Sequence, residues 1–465
     1  MSYEILNILI NISYKKEGEF LFGSEEKVIS NLASFLGNNK SDIEMLYYGI
    51  ILIKNITYKN PFVKQILQNY NIIEFFNEIY TKFVFNSDFM KNLILCLGHF
   101  INSRILNNNI LTSIKIIKTQ LKPNLPAELL THYVYILFNL SQYNNKKVHE
   151  EMIKNEIQVD LMNVFPFDKE NFKEFNTKNK ELNNNDNNSI IIDEKDNEKY
   201  YLELCTLILQ ILGKLLSLEN TKITENIINS GFCKFLNKVL QSTDIKIIKY
   251  AFFCLSNICA GTYGQISKLY DNDTIYEATK IAEYIYDIIN NNNKFVNSLI
   301  TIEFINTFRE INYALALIII NSLYERLMPF VRNHNYSVVK ILLKGLIIFN
   351  ENNIGNKNKD LLMYILNAIS KLVDYEKKTD DEELVMNGHI NFRLFLEQNG
   401  FKEILEKIQT NCDEEIADTA ERVFDDLFED NNDNNNINID DIIDDSYENN
   451  HDNDNENDNY CDNDF

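Results

Sequence analysis

The sequence holds no tryptophan, and only 5 prolines and 13 glycines in 465 residues. Turn-rich β architectures need proline and glycine at their many reversals, so this scarcity argues against them and favours long helices joined by short polar connections. Basic residues are also missing from one end. After Arg422 there is no Lys or Arg, while residues 423–465 carry 16 acids. Those 16 acids account for most of the net charge of -23 and leave -7 for residues 1–422. A mildly acidic body with a strongly acidic tail shows no basic face, which excludes a general nucleic-acid binder.

The seven cysteines, Cys96, Cys205, Cys233, Cys254, Cys259, Cys412 and Cys461, form no C-x-x-C pair. Their odd count and irregular spacing predict neither a disulfide framework nor a zinc site, and a reducing compartment suits them. The six histidines show no H-E-x-x-H spacing, and no Walker loop, G-x-G-x-x-G or G-x-S-x-G occurs. No catalytic residue, metal or cofactor is therefore expected. Residues 1–12 are apolar but lack the basic start and small-residue cleavage site of a secretory signal. The longest apolar stretches, Tyr201 to Leu216 and Ile311 to Val331, are broken by Glu203, Gln210 and Lys214 or by Asn321, Glu325 and Arg326. They read as buried helices, with no membrane span expected.

Internal repetition dominates what is present. Met45 to Tyr58 (MLYYGIILIKNITY), Thr131 to Tyr143 (THYVYILFNLSQY) and Lys249 to Gly261 (KYAFFCLSNICAG) share one shape, an apolar helix with a polar residue near its end. Aligned on that residue, Asn11, Asn55 and His99 are each 44 apart, Asn139 follows after 40, and Lys214 and Asn257 are 43 apart. The long gap from Asn139 to Lys214 falls to 44 when the 31-residue low-complexity stretch 167–197 is set aside. Leu317 and Lys371 continue the row. A period of about 40 to 47 residues is that of HEAT and armadillo arrays, whose units bury a continuous core only by stacking. The expected organisation is armadillo repeats over 1–166, an insertion over 167–197, further repeats over 198–430, and a disordered acidic tail over 431–465. The expected fold is an all-α, right-handed superhelical solenoid whose third helices line a concave groove.

At Ile245 to Leu269, Ala251, Ser256, Asn257 and Gly261, followed by Gln265 and Ile266, resemble the importin alpha family, whose repeats carry A-x-W-x-x-S-N-x-x-x-G and then E-Q-I. The turn Phe35-Leu36-Gly37 leading to Asn55-Ile56-Thr57 is similar to that family's first repeat, and Asn367 to Phe428, with NAISKLV, FLEQNGFKEILEKIQTN and VFDDLF before acids, to its last ones. The resemblance implies an adaptor acting in cytoplasm and nucleus. It would bind basic nuclear-localisation peptides, with an export receptor as a further partner. In the family a Trp four residues before each ladder Asn makes a slot for a cationic stem, and that spacing sets both on one helical face. Here the slot positions hold Ile51, Leu95, Tyr135, Phe253 and Tyr313. A cation over Tyr or Phe gains less than over Trp, where the contact is worth about 0.5 to 2 kcal/mol.

The peptide-binding candidates are therefore Tyr135 with Asn139, Phe253 with Asn257, Tyr313, and Glu325, which falls where the family has a carboxylate in its minor cargo site. The plainer account makes the aromatics inter-helix core, the asparagines helix caps and Glu325 a solvated surface acid. Lys214 and Lys371 stand in the row where a basic peptide would be repelled, and residues 1–30 set Lys15, Lys16 and Lys27 against five glutamates, so no importin-beta-binding segment is expected there. The alternative function is an armadillo scaffold that has lost cargo binding and mediates other protein–protein interactions.

Overall fold

The computed structural model describes residues 3–15, 22, 26–58, 60–83, 87–101, 108–123, 125–143, 145–168, 194–218, 220–291, 299–333, 336–351, 358–378 and 392–428. Among these every regular element is a helix. The tail expected to be disordered and residues 169–193 of the expected insertion lie outside the described residues.

Nine helices form the spine: α1 (Tyr3–Ser13), α2 (Ile43–Thr57), α3 (Ser87–Ile101), α4 (Ala127–Ser141), α5 (Glu194–Leu216), α6 (Ile245–Cys259), α7 (Leu299–Asn321), α8 (Lys359–Lys378) and α9 (Glu414–Phe428). Each packs on the next in one unbroken row. The shorter helices between them, such as Pro61–Asn69 and Ile72–Phe83 between α2 and α3, close each repeat on the other side. This is an armadillo-type solenoid. Spine helices end 40 to 44 residues apart from α1 to α4 and from α5 to α6, as the period predicts, and 50 to 62 apart from α6 to α9, where the repeats are longer.

The starts of two spine helices are written locally. Asp42 and Asp244 accept backbone N–H bonds from Met45 and from Lys246 and Ile247, capping α2 and α6. Asn60 does the same for Val63, with Pro61 filling the first helical position, where its missing N–H costs nothing. Inside a repeat the two shorter helices meet at one residue in the left-handed conformation. It is Asn71 (φ 53), Glu156 (φ 56), Gly231 (φ 93), Asp273 (φ 58), Tyr336 (φ 56) or Gly400 (φ 73) in six repeats; between α3 and α4 one short helix, Asn108–Gln120, is described. A single left-handed residue breaks the hydrogen-bond ladder and redirects the chain into the second helix.

The insertion is narrower than its composition suggests. The α5 helix begins at Glu194, and the Phe167 ring packs 5.0 Å from that of Phe165 and 5.6 Å from that of Phe235. Low complexity hid both edges: one aromatic anchors the exit from the array, and charged residues supply the first turn of α5.

In the core, α6 buries Ile247, Ile248, Ala251, Phe252, Cys254 and Leu255 against neighbours on both sides. Past its first turn, only the stripe Lys249, Phe253, Asn257 and the flanking Tyr250 remain partly open. The same stripe recurs as Gln210 and Lys214 on α5 and as Tyr364, Asn367 and Lys371 on α8. A helix packed on two sides keeps one narrow line of side chains free, and stacking aligns those lines across the row.

Candidate functional site: the face of the spine helices

The ladder positions all fall on spine helices, but they do different things. Asn55 Nδ2 donates to Ser13 Oγ of the preceding helix at 3.0 Å. His99 Nδ1 lies 3.1 Å from Thr57 Oγ1, whose own hydrogen goes to Ile53 O at 2.7 Å, so the ring nitrogen is the donor. Asn257 Nδ2 donates both hydrogens, to Gly213 O at 3.1 Å and to Phe253 O at 2.9 Å. The Lys371 ammonium caps the end of α7, bonding Ile320 O at 2.6 Å and Ser322 O at 2.8 Å. Each side chain ties the end of one spine helix to the next, at hydroxyls and carbonyls of the final turns; the Gly213 carbonyl takes the Asn257 amide in addition to the Ser217 N–H.

Leu317, expected in this row, is 8% exposed and belongs to the core. The amide function has moved one turn on, where Asn321 Nδ2 donates to Cys259 O at 2.8 Å.

Asn139 and Lys214 break the pattern. The Asn139 amide nitrogen is shut off from solvent without a hydrogen-bond partner. Among the described residues Lys214 has neither ion pair nor hydrogen bond through its ammonium. The break coincides with a cavity of about 400 Å³ whose lining comes from four successive spine helices. Phe138 stands on α4, Gln210 and Lys214 on α5, Lys249, Tyr250 and Phe253 on α6, and Asn306, Arg309 and Glu310 on α7. Gly213 lets Phe253 lie flat here: a Cβ at that position would meet two ring carbons at 2.4 and 2.5 Å.

Charge in this trough is partly compensated. Lys249 pairs with Glu303 at 3.3 Å, and Arg309 with Glu310 at 3.6 Å. Burial pushes the Glu310 carboxyl up, against the pull of Arg309 and Lys249. Arg309 Nε is buried without a partner. The unused groups are thus mainly donors.

The other candidates lie elsewhere. Tyr135 is 44% exposed, its ring centroid 6.3 Å from that of Phe138, at the α4 edge of the trough. Tyr313 is half-buried, edge-on to Tyr364 at 6.0 Å, and burial raises its phenol pKa. Glu325 is exposed on the short helix Tyr324–Asn333 and lines a different cavity with Tyr270, Arg326 and Phe330. The structure therefore gathers Phe253 beside Lys214, keeps Tyr135 and Asn139 at one edge, and separates Glu325 from all of them. Sequence reading missed Lys249, Tyr250 and Arg309. The signal for Lys249 was its place one helical turn before Phe253 on the same stripe.

A second cavity, of about 550 Å³, lies towards the start of the row beside Ser13, Lys54, Asn55 and His99. Burial, with help from Lys64 and Lys54, lowers the His99 pKa to about 4. Among the described residues no group of three or more His, Cys, Asp or Glu side chains could hold a metal ion, and no helix is long and apolar enough to cross a membrane.

No family model matches the sequence, and no curated protein is similar to it in sequence. Likeness appears in solved structures. One is a chain from a structure of the cadherin and beta-catenin interaction, under control of a conserved phosphorylation switch. It matches with a TM-score of 0.62 at 11% identity, over 89% of this chain and 69% of that one. An engineered protein matches with a TM-score of 0.52 at 13% identity, over 91% of this chain and 98% of its own. A designed armadillo repeat protein in complex with the peptide (KR)4 aligns with 68% of this chain and 99% of its own, at 15% identity and a TM-score of 0.44. At these identities the likeness is one of fold: this chain shares the armadillo-type solenoid.

Proposed function

We propose that this chain is a non-enzymatic scaffold that holds an extended segment of a partner protein along the face of its spine helices. The carrying observation is the single trough lined from α4, α5, α6 and α7 together. An extended chain lying across parallel helices meets one stripe residue per helix, which suits a regular peptide backbone better than a compact ligand. With both amide hydrogens engaged, Asn257 presents Oδ1 as an acceptor for a partner N–H.

The narrower proposal is an import-type adaptor of cytoplasm and nucleus, with basic peptide cargo and an export receptor. The exposed Tyr135 ring supports a cation slot at the α4 edge. The Phe253 ring shares its cavity with Lys214, Lys249 and Arg309, so a second cation there is disfavoured. Titration of peptides with basic, neutral and acidic sequences, at two ionic strengths, tests both levels. On the adaptor reading a basic nuclear-localisation peptide binds, weakens as salt rises, and loses about 0.5 to 2 kcal/mol in Tyr135→Ala. If it fails at micromolar concentrations in low salt, the import reading falls. If no peptide of any charge binds in a way that Asn257→Ala or Phe253→Ala alters, the scaffold reading falls too.

A further inference from the structure

The cavity of about 550 Å³ at α1 to α3 gathers cations without a counter-ion. Lys54 on α2 and His99 on α3 line it, and none of its lining residues is an acid. Lys64 stands one turn into the helix Pro61–Asn69, whose cap Asn60 and first residue Pro61 line the same cavity. The charges that act on His99 are those of Lys64 and Lys54, both positive. The Lys54 ammonium donates to the neutral Asn92 Oδ1 at 2.7 Å, and among the described residues the Lys64 ammonium has no partner. Both lysines are half-buried, and neither is sealed from solvent. Burial lowers the Lys64 pKa, as it does for a cation drawn out of water with no carboxylate to offset the loss. Other lysines that reach across repeats do find one: Lys91 meets Glu128, Lys118 meets Glu156 at 3.2 Å and Lys249 meets Glu303 at 3.3 Å.

The remaining wall sets the shape of a ligand. Leu95, one turn before His99, and the buried Phe22 supply an apolar lining, and the exposed Tyr14 and Tyr58 stand beside the opening. A small anion carried on a short side chain suits this mixture. The cavity also has a place in the row. His99 holds the ladder position of α3, as Lys214 does for α5 in the trough. One or two helix steps separate the cavity from the trough, about 10 to 20 Å, a gap that about 3 to 6 extended residues cross.

We propose that this cavity is an oxyanion pocket, which takes one carboxylate- or phosphate-bearing side chain of the partner segment, with Lys54 and Lys64 as the cations that bind it. This rests on the reading of the spine face as a peptide groove, at its broader, scaffold level. Charge-assisted hydrogen bonds from two ammonium groups restore what partial burial takes from them.

The experiment passes pools of fluorescent, end-blocked peptides over the immobilised full-length chain and reads the retained fraction. Each pool is degenerate in neutral residues and fixed at its centre as Asp, phosphoserine, Asn or Lys. The wild type is expected to retain the Asp or the phosphoserine pool about tenfold more than the Asn pool, the step for one hydrogen bond to a charged group, and to retain the Lys pool least. The double variant Lys54→Gln, Lys64→Gln should lose that preference while still holding neutral peptides. Lys64→Arg, which keeps the charge, should preserve it. Circular dichroism on each chain checks that the helices persist. Retention of phosphoserine well above Asp assigns the pocket to a phosphorylated partner, and equal retention to a plain acidic one; both support it. A wild type with no preference for an anion overturns the proposal. So does a preference that survives in the double variant, and if Phe253→Ala then removes it, the anion lies in the trough and the groove reading stands. If the wild type retains no pool, the pocket and the groove reading fall together.

Discussion

Asn257 and Asn139 occupy the same place in two repeats, with an aromatic residue one helical turn before each, yet one is a structural tie and the other is not. Asn257 gives both amide hydrogens to carbonyls, one of them on the preceding spine helix. Asn139 has a buried nitrogen with no partner. The lesson is that a ladder position is not a function in itself. Its side chain serves the array when the neighbouring helix end presents an acceptor, and it stays untied when none is presented. The ties at Asn55, His99, Asn321 and Lys371 stand towards both ends of the row, and the untied pair, Asn139 and Lys214, stands in the middle beside the trough.

The sharpest way to break this comparison is to remove both amides separately. Asn257→Ala removes one hydrogen bond between spine helices, while the Gly213 carbonyl keeps its bond from the Ser217 N–H, and should destabilise the protein by about 0.5 to 1.5 kcal/mol. Asn139→Ala removes a buried donor that has no partner, and should be neutral or mildly stabilising. Urea unfolding of the two variants decides it, read as the midpoint of the transition that includes α6. Equal losses would mean that Asn139 is also a tie, and the middle of the row would no longer be special.

A second contrast sets His99 against the ordinary histidine. Its pKa is lowered to about 4, first by burial and then by Lys64 and Lys54. The unfolded chain holds it near 6.5. Between those values the unfolded state binds more protons, so stability is full above about 6.5 and is lost as pH falls towards 4. His132 and His149 are lowered by burial as well and add to the same slope. His99→Asn keeps a donor for Thr57 without a titrating ring, and its thermal midpoint should depend less steeply on pH between about 6.5 and 4 than that of the wild type. Parallel curves for the two proteins would show that the ring titrates normally and that this tie is loosely packed.

Much of the fold was legible because it is written in local signals. Period, cap residues and apolar stripes belong to single helices, and together they place all nine spine helices. The site was less legible because its decisive facts are contacts between repeats. No residue in the sequence near Asn139 announces that its amide lacks an acceptor, and Leu317 reads as a ladder position although Asn321, one turn later, makes the bond. Lys214 was visible as a departure from a cation-binding groove. Its company, Lys249 and Arg309, comes from α6 and α7 and only stacking brings the three into one cavity. The expected insertion went wrong at its edges for a related reason: composition cannot tell that Phe167 has aromatic partners at Phe165 and Phe235.

The smallest effect concerns the left-handed junctions, where six repeats solve one problem with different residues. Gly231 and Gly400 adopt positive φ without a steric penalty, whereas Glu156 holds φ 56 and ψ 30 with a Cβ in the way. For a residue with a side chain that conformation costs about 1 to 2 kcal/mol. Glycine in turn loses more freedom on folding, which returns about 0.4 to 1 kcal/mol to the unfolded state. Glu156 also faces Lys118 at 3.2 Å, but the pair is exposed at the surface, where such contacts contribute about 0 to 1 kcal/mol. The balance predicts that Glu156→Gly stabilises slightly, by about 0.5 kcal/mol, while Gly400→Ala, at the same junction in the repeat that ends with α9, destabilises by about 1 kcal/mol. Opposite shifts in the thermal midpoint, the first upward and the second downward, are the expected result. A fall in both would mean that the Lys118 contact or the packing of the Glu156 stem outweighs the backbone strain, and that the junction has been adapted to its residue in each repeat.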